Sequence, residues 1–231
     1  MIDGIVFDKD GTLFDFRQSW GRWTRTILAR LSRDEDHSAA MAEALGFDPD
    51  SGDFEPESPV VAATAYEIAE AMLPHLPGTT QQALMARLNQ MAVEAQMTPA
   101  VPLRPLFDAL RARGLRIGLA TNDVEAAARA HLRDHEVDDL FDFIAGCDSG
   151  HGAKPGPGML LAFAASQGLA PERVLMVGDS THDLAAGRAA GMRPVGVLTG
   201  PARAPDLAPL AEVVLPDIGA LPAWIDAQRA A

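Results

Sequence analysis

The first apolar run of the chain, residues 2–7, is short, rich in β-branched side chains and ends at Asp8 and Gly11, so it predicts a strand. From about residue 16 the period changes. Trp20, Trp23, Ile27, Leu28 and Leu31 recur at three-to-four spacing, Val61, Ala65, Ile68, Ala69 and Met72 repeat it, and a third helical stretch runs roughly over 79–97. No strand pattern falls between Leu13 and Pro102, and the acidic stretch carrying Gly46, Pro49, Gly52, Pro56 and Pro59 reads as a loop joining helices. Beyond Pro105 helix and strand alternate. Helices are predicted over 106–113, 124–134, 158–167 and 183–190, and strands over 115–120, 141–145, 174–177 and 194–198, with Gly114, Gly168 and Gly191 as helix stops.

Strand and helix repeated in this way predict an α/β fold: a doubly wound parallel sheet, a Rossmann-like core, with helices on both faces. The core is expected over 1–15 and 101–231, and an inserted all-helical cap over 16–100. Such sheets bind ligands in the crevice beyond the carboxyl ends of their strands. Asp8, Thr121 and Asp179 stand at such ends, and the insertion leaves directly after the first of them, where it would cover the crevice.

The bulk composition narrows the partner. With 231 residues, 48% hydrophobic and 22% charged, the chain can bury one sizeable core and shows no sign of disorder. A formal net charge of −13, with acidic residues crowded over 34–57, repels nucleic acid and anionic membrane, so a small ligand is expected. An anionic one would need a divalent cation and a buried lysine to oppose the global field. Lys9 and Lys154 are the only lysines. Cys147 is the only cysteine, which excludes an intramolecular disulfide and fits a cytoplasmic setting. No apolar run approaches the roughly 18 residues of a membrane span, and Asp3 with no basic region speaks against a signal peptide.

Hydrolysis of a phosphate ester needs a nucleophile, a proton donor for the leaving oxygen and positive charge at the phosphoryl oxygens. Asp8 is well placed as nucleophile, and Asp10, two residues on, to protonate the leaving group and later deprotonate water. Asp8 and Asp179, with a backbone carbonyl near Asp10, offer the hard oxygen ligands that Mg²⁺ takes, while Lys154 and Thr121 would hold the remaining phosphoryl oxygens.

These residues resemble the haloacid-dehalogenase-like hydrolase superfamily, in its phosphoglycolate-phosphatase-like branch with a helical cap. Asp8-Lys9-Asp10-Gly11-Thr12-Leu13 is similar to the first family motif and implies Asp8 as the phosphorylated nucleophile and Asp10 as general acid/base. Thr121, with Asn122 beside it, looks like the second motif, which binds the phosphoryl group, and Lys154 like the third. Gly178-Asp179-Ser180-Thr181-His182-Asp183 resembles the fourth, which implies Asp179 as metal ligand and Asp183 as support for the metal's water shell. The resemblance covers roughly residues 1–15 and 101–200, and the cap only in length and helical character.

It implies a Mg²⁺-dependent phosphatase acting on a small phosphorylated metabolite through an aspartyl-phosphate, with phosphoglycolate the leading candidate. Asp10 speaks against dehalogenation, where no leaving alkoxide needs a proton, and against ion-pumping ATPases, which carry Thr at that place. A cap without lysine opposes phosphonate hydrolysis through a Schiff base. A phosphosugar mutase or another phosphotransferase remains the alternative, and a non-catalytic phosphate-binding module a more distant one. Lys9 stands where the family more often has an apolar residue, and its side chain is expected to be solvated. Trp20 and Trp23 are expected in the cap core, and Arg17, Arg22 and Arg25 on the surface, as candidate anion contacts at the cap entrance.

Overall fold

A computed structural model describes residues 2–55, 57–61 and 64–230. Six strands form one sheet: β1 (Gly4–Phe7), β2 (Arg116–Ala120), β3 (Phe143–Ala145), β4 (Val174–Gly178), β5 (Arg193–Val197) and β6 (Val213–Leu215). Their order is β3-β2-β1-β4-β5-β6 and every pairing is parallel. β1 lies at the centre, in register with Ile117 through Ile5 on one side and with Leu175 on the other.

Side chains of a strand alternate between faces, so the two faces of the sheet build separate cores. Ile5 and Phe7 of β1, with Leu175 and Val177 of β4, pack against α5 (Leu103–Ala112) and α10 (Leu221–Ala230). Val6 and Met176 point the other way, onto α7 (Gly158–Gln167) and α8 (Thr181–Ala189) through Met159, Phe163 and Ala186. α5 buries Leu103, Leu106, Phe107 and Leu110, the i, i+3, i+4, i+7 stripe of a surface helix. Phe107 meets Phe7 edge to face at 5.5 Å. Burying a side chain of that size contributes about 1.5–3 kcal/mol.

The insertion between β1 and α5 carries α1 (Phe16–Leu31), α2 (Glu35–Ala44), α3 (Ala65–Met72) and α4 (Gln81–Val93). Its apolar side chains join the core of the β1 Ile5/Phe7 face without a break. The remaining α-helices among the described residues are α6 (Glu125–Asp134), between β2 and β3, and the single turn α9 (Ala204–Leu207). Among the described residues no helix is long and apolar enough to cross a membrane.

The acidic stretch expected to be a loop differs in its first part. Asp34 caps α2 by accepting from the His37 N–H at 2.8 Å, and Glu35 and Asp36 occupy its first turn. Carboxylates there complement the unpaired N–H groups and the positive end of the helix, so the acidity that suggested a loop also favours a helix start. β6, α9 and α10 lie beyond the last predicted element, the strand over 194–198, and were not anticipated.

Candidate active site

The strand ends do converge. Asp8 follows β1 and Asp179 follows β4, and the paired register of those strands sets the two side by side. Beyond Asp8 the chain turns tightly, with the Lys9 carbonyl accepting from the Leu13 N–H at 2.9 Å and the Gly11 N–H donating to the Phe14 carbonyl at 2.8 Å. Asp183 sits in the first turn of α8, where its Oδ2 accepts from the N–H and Oγ of Ser180 at 3.0 and 2.6 Å, a capping box. Its other oxygen accepts from Lys154 Nζ at 2.6 Å, and Lys154 Nζ also donates to Asp8 Oδ1.

Asp8, Asp179 and Asp183 each bring a carboxylate oxygen into a group whose members lie within 4.8 Å of one another, all three buried. Thr12 Oγ1 donates to Asp179 Oδ1 at 3.2 Å. Thr121 and Asn122 follow β2 and are buried; the Asn122 amide clamps the lysine loop by donating to the Lys154 carbonyl at 3.0 Å and accepting its N–H at 2.8 Å. Asn122 therefore meets the lysine backbone as well as standing at the crevice.

Charge is unbalanced in this pocket. Burial lifts the Asp8 carboxyl to about 7; Lys154 pulls it down, while Asp183 and Asp10 push it up. Asp179 is raised well above the ordinary range, by burial first and then by Asp183 and Asp8. Lys154 is held above its usual range by Asp183 and Asp8 against the cost of burial. One ammonium among three buried carboxylates leaves excess negative charge, and the donors are all hard oxygens. That set fits a divalent cation of the Mg²⁺ kind.

The helical insertion forms the opposite wall. Trp20 and Trp23 of α1 stack edge to face at 4.7 Å and line the cleft with Val60, Ile68 and Leu88, while Ser180, the exposed His182 and Asn89 supply polar atoms. Both tryptophans belong to the core that the insertion shares, as expected, but they also line the cleft. Arg17, Arg22 and Arg25 are not part of this lining: they are turned to Asp53, Gln96 and the Pro49 carbonyl.

The model of the haloacid dehalogenase-like hydrolases matches residues 2–191, from the first strand through α8. The chain belongs to that family. Within it, this hydrolase is 36% identical to the phosphoglycolate phosphatase of Cereibacter sphaeroides over 83% of either chain. It is 38% identical to that of Rhodospirillum rubrum over 52% of this chain, where the match spans only 50% of the relative's length. A likeness of fold alone joins it to the β-phosphoglucomutase of Clostridium difficile, with a TM-score of 0.68 and 17% identity over 100% of this chain and 98% of the other.

Three features of this hydrolase's site were not foreseen. Lys9, expected in solvent, is fully buried, because the turn after β1 sends it back under α1 rather than outward. Asp123 and His131 meet its ammonium; Asp123 directly follows the predicted Thr121-Asn122 pair and could have been suspected, whereas His131 occupies an apolar phase of α6 with Ala127, Ala128 and Leu132 and gave no signal. Finally, Thr199 and Gly200, after β5, close on the metal-ligand candidates: Thr199 Oγ1 donates to the Gly11 carbonyl at 2.6 Å, and a Cβ on Gly200 would overlap the Asp179 carboxylate.

Proposed function

We propose that this hydrolase is a Mg²⁺-dependent phosphomonoesterase that works through an aspartyl-phosphate on Asp8. The observation that carries the reading is Asp8 at the carboxyl end of the central strand, bound by Lys154 and grouped with Asp179 and Asp183, with Asp10 lining the same cleft. Lys154 and Thr121 hold phosphoryl oxygens, and Asn122 acts at the phosphate end by fixing the Lys154 backbone. Asp8 and Asp179, with the Asp10 carbonyl, would hold Mg²⁺, and Asp183 would support its waters. The ion, when bound, supplies positive charge to the phosphoryl group.

The steps of the chain's own residues then follow. An Asp8 carboxylate oxygen forms a bond to phosphorus as the ester P–O bond breaks, and the Asp10 carboxyl gives its proton to the departing oxygen. Burial raises the Asp10 pKa, although Lys9 pulls it down, and the rise favours the protonated form that a general acid needs. In the second half Asp10, now a carboxylate, takes a proton from water as the water oxygen attacks phosphorus. The bond to Asp8 breaks, orthophosphate leaves and Asp10 is again protonated.

A small organic phosphate fits a cleft walled by helices. We take phosphoglycolate as the leading candidate, because the relatives bear that name, and a small phosphorylated metabolite as the class. Its organic part would rest against Trp20, Trp23 and Ile68. Phosphate release measured over a panel of small esters tests the reading: release is expected with Mg²⁺ and a fall of about 10²-fold or more on chelation. No turnover of any ester would sink it. The likeness of fold to a phosphoglucomutase sustains the mutase alternative, which predicts dependence on a sugar bisphosphate and no net phosphate release.

Gly200→Ala should raise the Mg²⁺ concentration for half-maximal rate by about 10–100-fold, the usual cost of disturbing groups around a ligand, because a Cβ would overlap Asp179. A Mg²⁺ titration of initial rate checks it. An unchanged midpoint would separate Asp179 from the metal.

A further inference from the structure

The buried cluster around Lys9 lies beside the group that moves protons, and its chemistry is unused in the mechanism above. Lys9 is fully buried, with its Nζ 2.8 Å from Asp123 Oδ2, 3.0 Å from His131 Nδ1 and 3.1 Å from Asp10 Oδ1. An ammonium has three N–H donors, and three acceptors surround it. The ring of Trp20, from α1, lies 5.4 Å from the same nitrogen. The side chain of Lys9 therefore has no freedom to leave.

His131 fixes the arrangement from behind. Its Nε2 lies 2.8 Å from the Ala92 carbonyl of α4, which can only accept, so Nε2 carries the hydrogen and Nδ1 is left to accept from Lys9. Burial holds this ring neutral, with its pKa pushed down to about 3 and the Lys9 charge adding to the effect. The chain of contacts thus runs from α4 of the insertion, through His131 and Lys9, to Asp10. Asp10 Oδ1 is buried with no hydrogen-bond partner among the described residues, so its ion pair with the Lys9 ammonium at 3.1 Å is the contact that holds it.

We propose that Lys9, braced by His131 and Asp123 and covered by Trp20, is a positioning residue that holds the Asp10 carboxyl group in line with the leaving oxygen and ties that geometry to the helical insertion. A buried cation kept only to balance charge could sit anywhere near Asp123. Here it is shared between Asp123 and the one carboxylate assigned to proton transfer. Side chains held by a surrounding layer keep the short distances that proton transfer needs, and a displacement of about 1 Å can cost about 10²-fold. The inference rests on the phosphatase reading.

Its test is the dependence of rate on the leaving group. Lys9→Met keeps the length of the side chain and removes the charge. The expected result is phosphoenzyme formation, followed in single turnovers, slowed on the order of 10²-fold for alkyl phosphates, which need a proton as they leave, but by less than about threefold for para-nitrophenyl phosphate, with the substrate and Mg²⁺ midpoints unchanged. An equal loss for both esters overturns the inference, since damage to the fold or to the phosphate site slows both alike. Should Lys9→Met not fold, as judged by circular dichroism, His131→Leu decides: it removes the brace while leaving the ammonium its two carboxylates. A smaller loss confined to alkyl phosphates supports the assignment, and an equal loss or none overturns it. Wild-type turnover with equal losses removes this inference alone, whereas a wild-type protein without turnover removes the phosphatase reading as well.

Discussion

Asp8→Asn is expected to lower kcat by about 10⁴-fold or more while leaving the fold intact. An amide oxygen is a poor nucleophile toward phosphorus, and the carboxylates grouped with Asp8 are otherwise engaged: Asp183 is bound by Lys154 and Ser180, and Asp179 accepts from Thr12. A loss of that size corresponds to about 5.5 kcal/mol of transition-state stabilisation. Stability should not suffer. Asparagine has the same shape, Lys154 keeps its contact with Asp183 at 2.6 Å, and one of three mutually repelling buried carboxylates is neutralised. Phosphate release and a thermal melt, measured on the same preparation, check both halves. Acid-quenched wild-type protein should carry a phosphoryl group that the variant lacks. Residual activity above about one per cent would remove Asp8 from the nucleophile role.

Asp10→Asn is expected to slow phosphoenzyme formation by about 10²–10⁴-fold on alkyl phosphates, the usual range for losing a general acid, and much less on phenols that leave without help. Two steps should slow together, because the proposed acid for the leaving oxygen is also the proposed base for the attacking water. Phosphoenzyme formation falls most for poor leaving groups; its breakdown falls by one factor whatever ester supplied the phosphoryl group. Collapse of the buried cluster should not add to the loss, since Lys9 keeps Asp123 at 2.8 Å and His131 at 3.0 Å when Asp10 loses its charge. Single-turnover kinetics over a series of substituted phenyl and alkyl phosphates separate the steps. Equal slowing across the series would contradict the acid role.

Much of the site could be read from the chain because it depends on where strands stop. Asp8, Thr121 and Asp179 each follow a short apolar run, and a parallel sheet brings such positions to one edge whatever the side chains beyond them do. Lys154 could be identified for a different reason: it is one of two lysines in an acidic chain. The misreadings are local in another way. Composition suggested a loop where Asp34 starts α2, because acidic residues are as welcome at a helix N-terminus as in a turn. Lys9 was expected in water because lysine is almost never fully buried without partners. Its partners are 114 and 122 residues away, at positions where neither strand period nor helix period marks them.

By itself, then, the sequence determined the alternation of strands and helices, and with it the residues delivered to the carboxyl edge of the sheet. Periodicity is enough for that, because it records which face of each element must leave water. The tertiary structure alone decided which charges meet beyond that edge: the ammonium of Lys9 on Asp10, Asp123 and His131, the three-way grouping of Asp8, Asp179 and Asp183, and the close approach of Gly200 to Asp179. Those contacts join segments that pack together only after the sheet has formed. A buried charge is tolerated where opposite charges surround it, and that surrounding is a property of packing that no local pattern records.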